Sequence, residues 1–371
     1  MKSVLNYIKK EAVLCISMLL ALISMLFVPL DYKYISYIDF HTLIILLSLM
    51  IIMAGLRSLG IFSMIGSWML KKTSDVRSLA IVLVLLCFGF SMFITNDVAL
   101  ITFVPFTIDV LVMAGLENYL IRIIVLETIA SNLGSMLTPI GNPQNLYLFS
   151  LSDMGVGSFI SLMLPYALLS LIVLLAACVI LIDKKAVVVK LQSDYTFTAV
   201  GKRETAIYLL LFLFALTSVA HIISDYIVGA VVLVAVLLMD YRILRKPDYA
   251  LLLTFIFLFV FIGNMKRVPE INLWLRGIIH GHELLTSVLA SQVISNVPAA
   301  ILLSGFTDNI STLIIGTNLG GLGTIIASMA SLISFKYYGT TDGKRNAAYL
   351  GVFTLLNLIF LTVLLLLYYL I

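Results

Sequence analysis

Runs of about 20 apolar residues, the length a helix needs to cross the hydrocarbon core of a bilayer, recur along this chain. In lipid every backbone N–H and C=O must find a partner within the protein, which leaves only helices and closed barrels. A barrel would read as short segments of alternating polarity, and these runs are continuous. Charged residues make up 11% of the 371 positions and hydrophobic ones 62%, where soluble domains carry about 25% charged. The chain therefore reads as an all-α polytopic protein, integral to a cell membrane (inner or plasma), with the lipid bilayer as its surroundings. The net charge of +4 is small and its basic residues fall in loops, so they report topology and not nucleic acid. Cys15, Cys87 and Cys178 each lie inside an apolar run without paired spacing, which suggests neither a disulfide framework nor a metal site. The N-terminal run is too long for a signal peptide and lacks a small-residue cleavage site, so it reads as the first membrane helix.

Nine spans are expected, near 11–30, 40–56, 119–151, 157–182, 204–222, 226–240, 248–263, 309–336 and 346–371. Two further apolar stretches, 78–114 and 282–305, are broken in the middle by polar tips. Each fits two spans joined by a tight turn, or a re-entrant hairpin, and charge favours the hairpin. The positive-inside rule makes Lys9, Lys10, Arg57, Lys71, Lys72, Arg77, Lys184, Lys185, Lys190, Lys202, Arg203, Arg242, Arg245, Lys246, Lys344 and Arg345 cytoplasmic. That works if 78–114 dips in from the cytoplasm and 282–305 enters from outside. The N-terminus is then cytoplasmic and the C-terminus outside. Lys266, Arg267 and Arg276 fall outside, against the rule.

The chain also repeats itself. FITNDVA (93–99) aligns with VISNVPA (293–299), and SNLGSMLT (131–138) with TNLGGLGT (317–324). Each half reads as two spans, a broken hairpin, a broken span and a final span. Residues 1–182 make the first repeat, 183–203 a cytoplasmic linker, and 204–371 an extra helix at 204–222 followed by the second repeat. The extra helix inverts the second half relative to the first. Inverted repeats with discontinuous helices mark secondary transporters.

Residues 131–148, SNLGSMLTPIGNPQNLYL, crowd helix breakers and amides into a span. Irregular backbone at membrane depth is tolerated only where protein buries it or where it lines a wet cavity. Pro139 and Pro143 lack an N–H and disfavour helix before them, and Gly134 and Gly141 permit open geometry. The helix should unwind near Thr138–Asn145, leaving carbonyls for a cation and the amides of Asn142, Gln144 and Asn145 to donate and accept. The second unwound segment is Gly316, Thr317, Asn318, Gly320, Gly321, Gly323 and Thr324; lacking proline, it is expected to bend less. The hairpin tips Thr95-Asn96-Asp97 and Ser295-Asn296-Val297 repeat the device. Two tips and two unwound segments meeting near the midplane around one substrate is the reading. The bland account, that glycine and proline only kink and pack membrane helices, serves one such segment better than four in symmetric positions.

Asp97 stands apart, because a carboxylate near the bilayer centre costs about 2.5–3.5 kcal/mol on insertion scales. It can bind a coupling cation, carry a proton or cap the half-helix that follows. Its repeat partner is Val297, so the tips are not equivalent. Glu127 also lies inside a span, with Arg122 nearby. His280 and His282 are two residues apart in a loop without a third ligand, and His41 and His221 sit at span ends. Tyr32, Tyr34, Tyr37, Tyr337 and Tyr338 read as interfacial belts. There is no GxxxxGK[ST] stretch for an ATPase and no nucleophile–base arrangement, so the chain does not read as an enzyme.

FITNDVALITFVPFTI, SNLGSMLTPIGNPQNLYL, ISNVPAAILLSG and GTNLGGLGTIIAS together resemble the ion transporter superfamily over nearly the whole chain. That group holds the divalent anion:sodium symporters, the citrate transporters, the arsenite permeases and one branch of sodium/proton antiporters. The resemblance implies a scaffold domain that often dimerises, hence a homodimer, and an elevator-type transport domain carrying both hairpins. In the dicarboxylate symporters both tips read Ser-Asn-Thr. The resemblance carries their sodium-site elements onto Thr95, Asn96, Ser295 and Asn296, with backbone from Gly141 and Gly320. Both substrate-contacting threonines are absent here. An ionised Asp97 would repel a dicarboxylate, and the Asn-Asp pair looks more like the arsenite-permease side. GNPQN looks like members described as anion transporters.

Three functions compete. The first is a secondary active transporter of an anion, an organic carboxylate or inorganic oxyanion, coupled to sodium or protons. Its expected substrate contacts are Asn96, Asp97, Asn142, Asn145, Asn296, Thr317, Asn318 and Thr324. Its expected cation contacts are Thr95, Asn96, Asp97, Thr138, Gly141, Ser295, Asn296 and Gly320. No cofactor is expected beyond bound sodium ions. The second is a sodium/proton antiporter or an arsenite-type efflux permease. The antiporter is disfavoured because the second tip offers no acid. The third, a membrane enzyme or receptor-like scaffold, has no need of symmetric broken helices.

Overall fold

The computed structural model describes residues 11–70, 73–186 and 201–371. Lys9, Lys10, Lys71, Lys72, Lys190 and most of the 183–203 linker lie outside the described residues. Among the described residues there are 18 α-helices and no strand. Seven of the apolar helices are long enough to cross a bilayer. Five correspond to expected spans: α3 (Phe40–Ser58), α9 (Val156–Leu181), α11 (Asp225–Asp240, extended by a 3-10 turn to Arg245), α12 (Tyr249–Lys266) and α18 (Asn346–Leu370). The other two are the arms of the first hairpin, α5 (Val76–Ile94) and α6 (Asn96–Met113). The first expected span is a shorter helix, α1 (Ala12–Ser24), followed by the one-turn α2 (Lys33–Tyr37). The extra helix, α10 (Lys202–Val219), begins on three charged residues, Lys202, Arg203 and Glu204.

Helix starts follow the local chemistry. Asp39 caps α3 by accepting from the Thr42 N–H at 3.1 Å, and Asp248 caps α12 through the Leu251 N–H at 3.0 Å. Asp75 opens α5 with a capping box, its carboxylate accepting from the Ser78 N–H at 2.9 Å. That bond holds the Asp75 carboxyl below its ordinary range.

Both long spans expected to break do break. The first becomes α7 (Leu120–Ser135) and α8 (Pro143–Leu151); the second becomes α16 (Ile310–Leu319) and α17 (Met329–Tyr338). Asn142 caps α8 through the Asn145 N–H at 2.9 Å, and Pro143 takes the first helical position, where no N–H is needed. Thr317 and Asn318, expected in the second unwound segment, lie in the last turn of α16. The break instead runs on to Ser328, so the proline-free break is the longer one. Side chains sustain it. The Thr324 N–H donates to Gln292 Oε1 at 2.8 Å, and Gln292 Nε2 donates to the Gly320 and Leu322 carbonyls at 2.9 and 2.8 Å.

The second hairpin is α14 (Glu283–Ile294) and α15 (Asn296–Ser304). Its arms of 12 and 9 residues reach about 18 and 14 Å at 1.5 Å per residue, too short to cross. The first hairpin's arms of 19 and 18 residues are about 28 and 27 Å long, so length alone leaves them able to span. Its tip is nevertheless inside the protein: Asn96 is buried and its N–H donates to the Gly141 carbonyl at 3.0 Å.

The helices pack into two groups. In one, α1 lies along α12, with α10 and α11 against α3. In the other, α7 is the axis, in contact with α5, α6, α9, α17 and α18, and every residue from Ile123 to Ser135 is buried. The groups meet where α3 touches α8 and α12 touches α15. Close helix approach inside the second group depends on glycine. A Cβ on Gly134 would strike the Phe88 carbonyl and lie 2.6 Å from Ser91 Oγ, and one on Gly320 would lie 2.6 Å from Ser291 Oγ. Ser91 and Ser291 occupy matching positions in the two hairpins. On the outside, Leu26, Ile180, Leu238 and Leu370 are exposed, as lipid-facing side chains are.

Candidate functional site

Each hairpin turns on a single residue with backbone that glycine normally supplies. Thr95 has φ 67° and ψ 150°, and Ser295 has φ 71° and ψ 155°. Non-glycine residues in this region cost about 1–3 kcal/mol and cluster at functional sites. Both tips are held the same way. The Asn96 N–H donates to the Gly141 carbonyl and the Asn296 N–H to the Ala327 carbonyl, each at 3.0 Å. The Thr138 hydroxyl donates to the Met92 carbonyl, and the Thr324 hydroxyl to the Gln292 carbonyl at 3.2 Å. Every one of these pairs is related by continuing the register of the repeat.

The two broken helices are then laced crosswise. Asn132, in α7, accepts at Oδ1 from Ser328 Oγ at 3.0 Å and donates from Nδ2 to Ser331 Oγ at 3.4 Å. Asn318, in α16, accepts at Oδ1 from Asn142 Nδ2 at 3.1 Å and donates to Asn145 Oδ1 at 2.6 Å. Asn132 matches Asn318 in the repeat, while Asn142 and Asn145 match Ser328 and Ser331. Each half thus reaches with one amide into the post-break helix start of the other. Asn132 Oδ1 also accepts from Asn96 Nδ2 at 3.1 Å, tying the first tip to the lacing. Asn145 Nδ2 covers orphan carbonyls at the end of α7, those of Ser135, Met136 and Thr138 at 3.4, 3.4 and 3.2 Å.

Thr95 and Asp97 line a cavity of about 440 Å³, together with apolar residues such as Leu46 and Met50 and with Arg57, Lys246 and Asp248. Asp97 Oδ1 is buried without a hydrogen-bond partner. A neighbouring cavity of about 210 Å³ is lined by Ser295 of the second tip. The two share a wall of Asp248, Leu251, Met329 and Ile333. Asn142 reaches only a small void beside the first cavity.

The expected site residues therefore divide. Thr95, Asp97 and Ser295 face the cavities. Asn96, Thr138, Gly141, Asn142, Asn145, Asn296, Asn318, Gly320 and Thr324 hold the tips and breaks from behind. Thr317 bonds to its own helix, donating to the Leu313 carbonyl at 2.7 Å. Asn132, Gln292, Arg57 and Lys246 were absent from the expected set. Asn132 was detectable as the repeat partner of Asn318. Gln292 was detectable as an amide in an apolar arm. In the sequence Arg57 and Lys246 mark topology alone. Glu127 is wholly buried on α7 away from the cavities; its Oε1 accepts from Thr107 Oγ1 at 2.6 Å and its Oε2 has no partner.

Comparison with known proteins agrees with this architecture. The chain is 35% identical over 312 residues to an uncharacterized transporter of Methanocaldococcus jannaschii, covering 83% of each chain. It is 33% identical over 315 residues to the inner membrane protein YbiR of Escherichia coli, covering 84% of this chain and 83% of the relative. A 46 kDa membrane protein of Mycobacterium leprae is 25% identical over 348 residues, covering 82% of this chain and 80% of the relative. Residues 8–311 match the family described as citrate transporter. With apolar helices of spanning length, broken helices and a family match over most of its length, the chain is an integral membrane transporter that belongs to the citrate transporter family.

Proposed function

We propose that this transporter is a secondary active one that moves a small anion coupled to sodium or protons, with the substrate bound in the cavity beside the first tip. The observation that carries the reading is Asp97: a carboxylate with one buried oxygen that has no partner, on a strained tip, in the lining of a cavity that Arg57 and Lys246 also line. A coupling cation or proton on Asp97 removes the cost of its uncompensated charge, and Arg57 and Lys246 in the same lining then attract an anion. Thr95, Asn96 and Gly141, with Ser295, Asn296 and Gly320, are the proposed cation-site elements. Asn142, Asn145, Asn296, Thr317, Asn318 and Thr324 are proposed to shape the substrate site, most of them by holding its frame.

The two helix groups support an elevator-type cycle, in which the group built on α7 moves against the group of α1, α3 and α12 as one inverted-repeat body. Arg57 and Lys246 in the cavity lining support a cytoplasmic opening by the positive-inside rule, with the N-terminus cytoplasmic and the C-terminus outside. A homodimer rests on the resemblance alone, and cross-linking in lipid that finds only monomer removes it. Glu127 favours one second reading, a sodium/proton antiporter, because it adds a second buried acid with an unpartnered oxygen.

Thermal unfolding of the purified protein in detergent separates the two, because a ligand that binds only the folded state raises its stability by mass action. Stabilisation by an anion that depends on sodium or on pH supports the coupled anion transporter. A response to sodium or pH with no anion effect moves the function to the antiporter.

A further inference from the structure

We propose that the cavity beside Asp97 takes an organic monocarboxylate with an apolar body, whose carboxylate is held by Arg57 and Lys246. This rests on the anion-transporter reading and narrows its substrate.

Four charged side chains line the cavity: Arg57, Lys246, Asp97 and Asp248. Arg57 lies in the last turn of α3 and Lys246 stands two residues before the cap of α12. Neither side chain has an ion-pair or hydrogen-bond partner among the described residues. A guanidinium offers five donors in a fork that matches a carboxylate, and an ammonium offers three. Of the two acids in the lining, Asp97 has an unpartnered Oδ1, and Asp248 already accepts from its helix.

The formal charge of the four is zero. A coupling cation or proton on Asp97 leaves one positive charge, which one carboxylate neutralises. A dicarboxylate or tricarboxylate would bring further negative charge toward Asp248 and Asp97, where no additional lining cation waits to pair with it. Uncompensated charge in a partly dry site is costly. Charge balance therefore selects a monoanion.

The walls select the rest of the molecule. Met50, Met53, Val98, Ile101, Met329 and Ile333 are apolar, and only the Ser58 and Thr95 hydroxyls add polar lining beyond the charged groups. A volume of about 440 Å³ falls within the usual range for small-molecule sites, about 300–1,000 Å³. A bare oxyanion would leave these walls facing water, whereas a hydrocarbon body covers them. The three methionines can adapt to bodies of differing shape.

The test is thermal unfolding of the full chain in detergent with sodium present. It is titrated with propionate, butyrate and hexanoate, and with succinate, citrate and phosphate, at matched ionic strength. The expected result is stabilisation by the monocarboxylates, with affinity rising about fourfold per added methylene. Arg57→Gln and Lys246→Gln are each expected to weaken hexanoate binding about tenfold, while their unfolding midpoints without ligand stay near the parent's. Stronger stabilisation by citrate, succinate or phosphate overturns the monocarboxylate assignment and leaves the anion transporter standing. Hexanoate binding indifferent to both substitutions overturns the site. A sodium or pH response with no anion effect overturns both the assignment and the transporter reading beneath it.

Discussion

Asn132→Ala tests whether the crosswise lacing holds the first tip in place. The wild-type side chain is buried and makes two bonds of good length, from Asn96 Nδ2 at 3.1 Å and Ser328 Oγ at 3.0 Å. The third, to Ser331 Oγ at 3.4 Å, is beyond the normal range. Hydrogen bonds between membrane helices average about 0.6 kcal/mol in double-mutant cycles, so the two good bonds account for about 1 kcal/mol. Truncation also leaves the Asn96 amide buried without its acceptor, which adds about 1–3 kcal/mol. The Ser328 hydroxyl can rotate to another acceptor and adds little. The expected total is about 2–4 kcal/mol. Unfolding in mixed micelles followed by circular dichroism measures it, provided that the transition is reversible. A cycle with Asn96→Ala isolates the shared bond, with an expected coupling of about 0.5–1.5 kcal/mol. A loss under about 0.5 kcal/mol for Asn132→Ala, or strict additivity with Asn96→Ala, would refute the lacing as a source of tip stability.

Three further outcomes follow from the same geometry. Asp97→Asn should abolish ion-driven uptake of any anion that stabilises the protein, while the variant remains folded and in the membrane; undiminished uptake by reconstituted vesicles would reduce Asp97 to a turn residue. Gly134→Ala and Gly320→Ala should each destabilise by about 1–3 kcal/mol through overpacking, whereas Gly89→Ala, which meets nothing within 4 Å, should be neutral or slightly stabilising in the same unfolding assay. Thr95→Gly and Ser295→Gly should raise stability by about 1 kcal/mol by relieving the tip strain, and a loss at both positions would mean that the hydroxyls matter more than the backbone.

The class of fold, the position of the first break and the presence of a second were legible because their causes are local. A long apolar run declares a span wherever it occurs, and prolines with asparagines inside one declare a break. Bond partners are not local. Asn132 meets Ser328 and Ser331 across 196 and 199 residues, and the repeat hides the equivalence because Asn142 and Asn145 are matched by serines. The second break runs past Thr324 for a related reason: Gln292 supplies from another helix the hydrogen bonds that the unwound backbone needs. Arg57 and Lys246 show a different limit, since a cation at a span end obeys the topology rule whether or not a cavity opens beside it.

The tips show why side-chain chemistry can override backbone preference. Glycine is the residue expected at φ near +70°, but Thr95 and Ser295 stand there. Each is fixed from both sides: the residue after it donates its N–H to the facing break, and the break's threonine hydroxyl grips the arm before it. The strain is thus over-determined by the surroundings, the condition under which such conformations persist. Two hydroxyl-bearing residues kept in an unfavourable conformation at matching positions, each lining a cavity that shares a wall with the other, point to a use for the hydroxyl at that spot. Coordination of a transported ion or its substrate is the use proposed for it above.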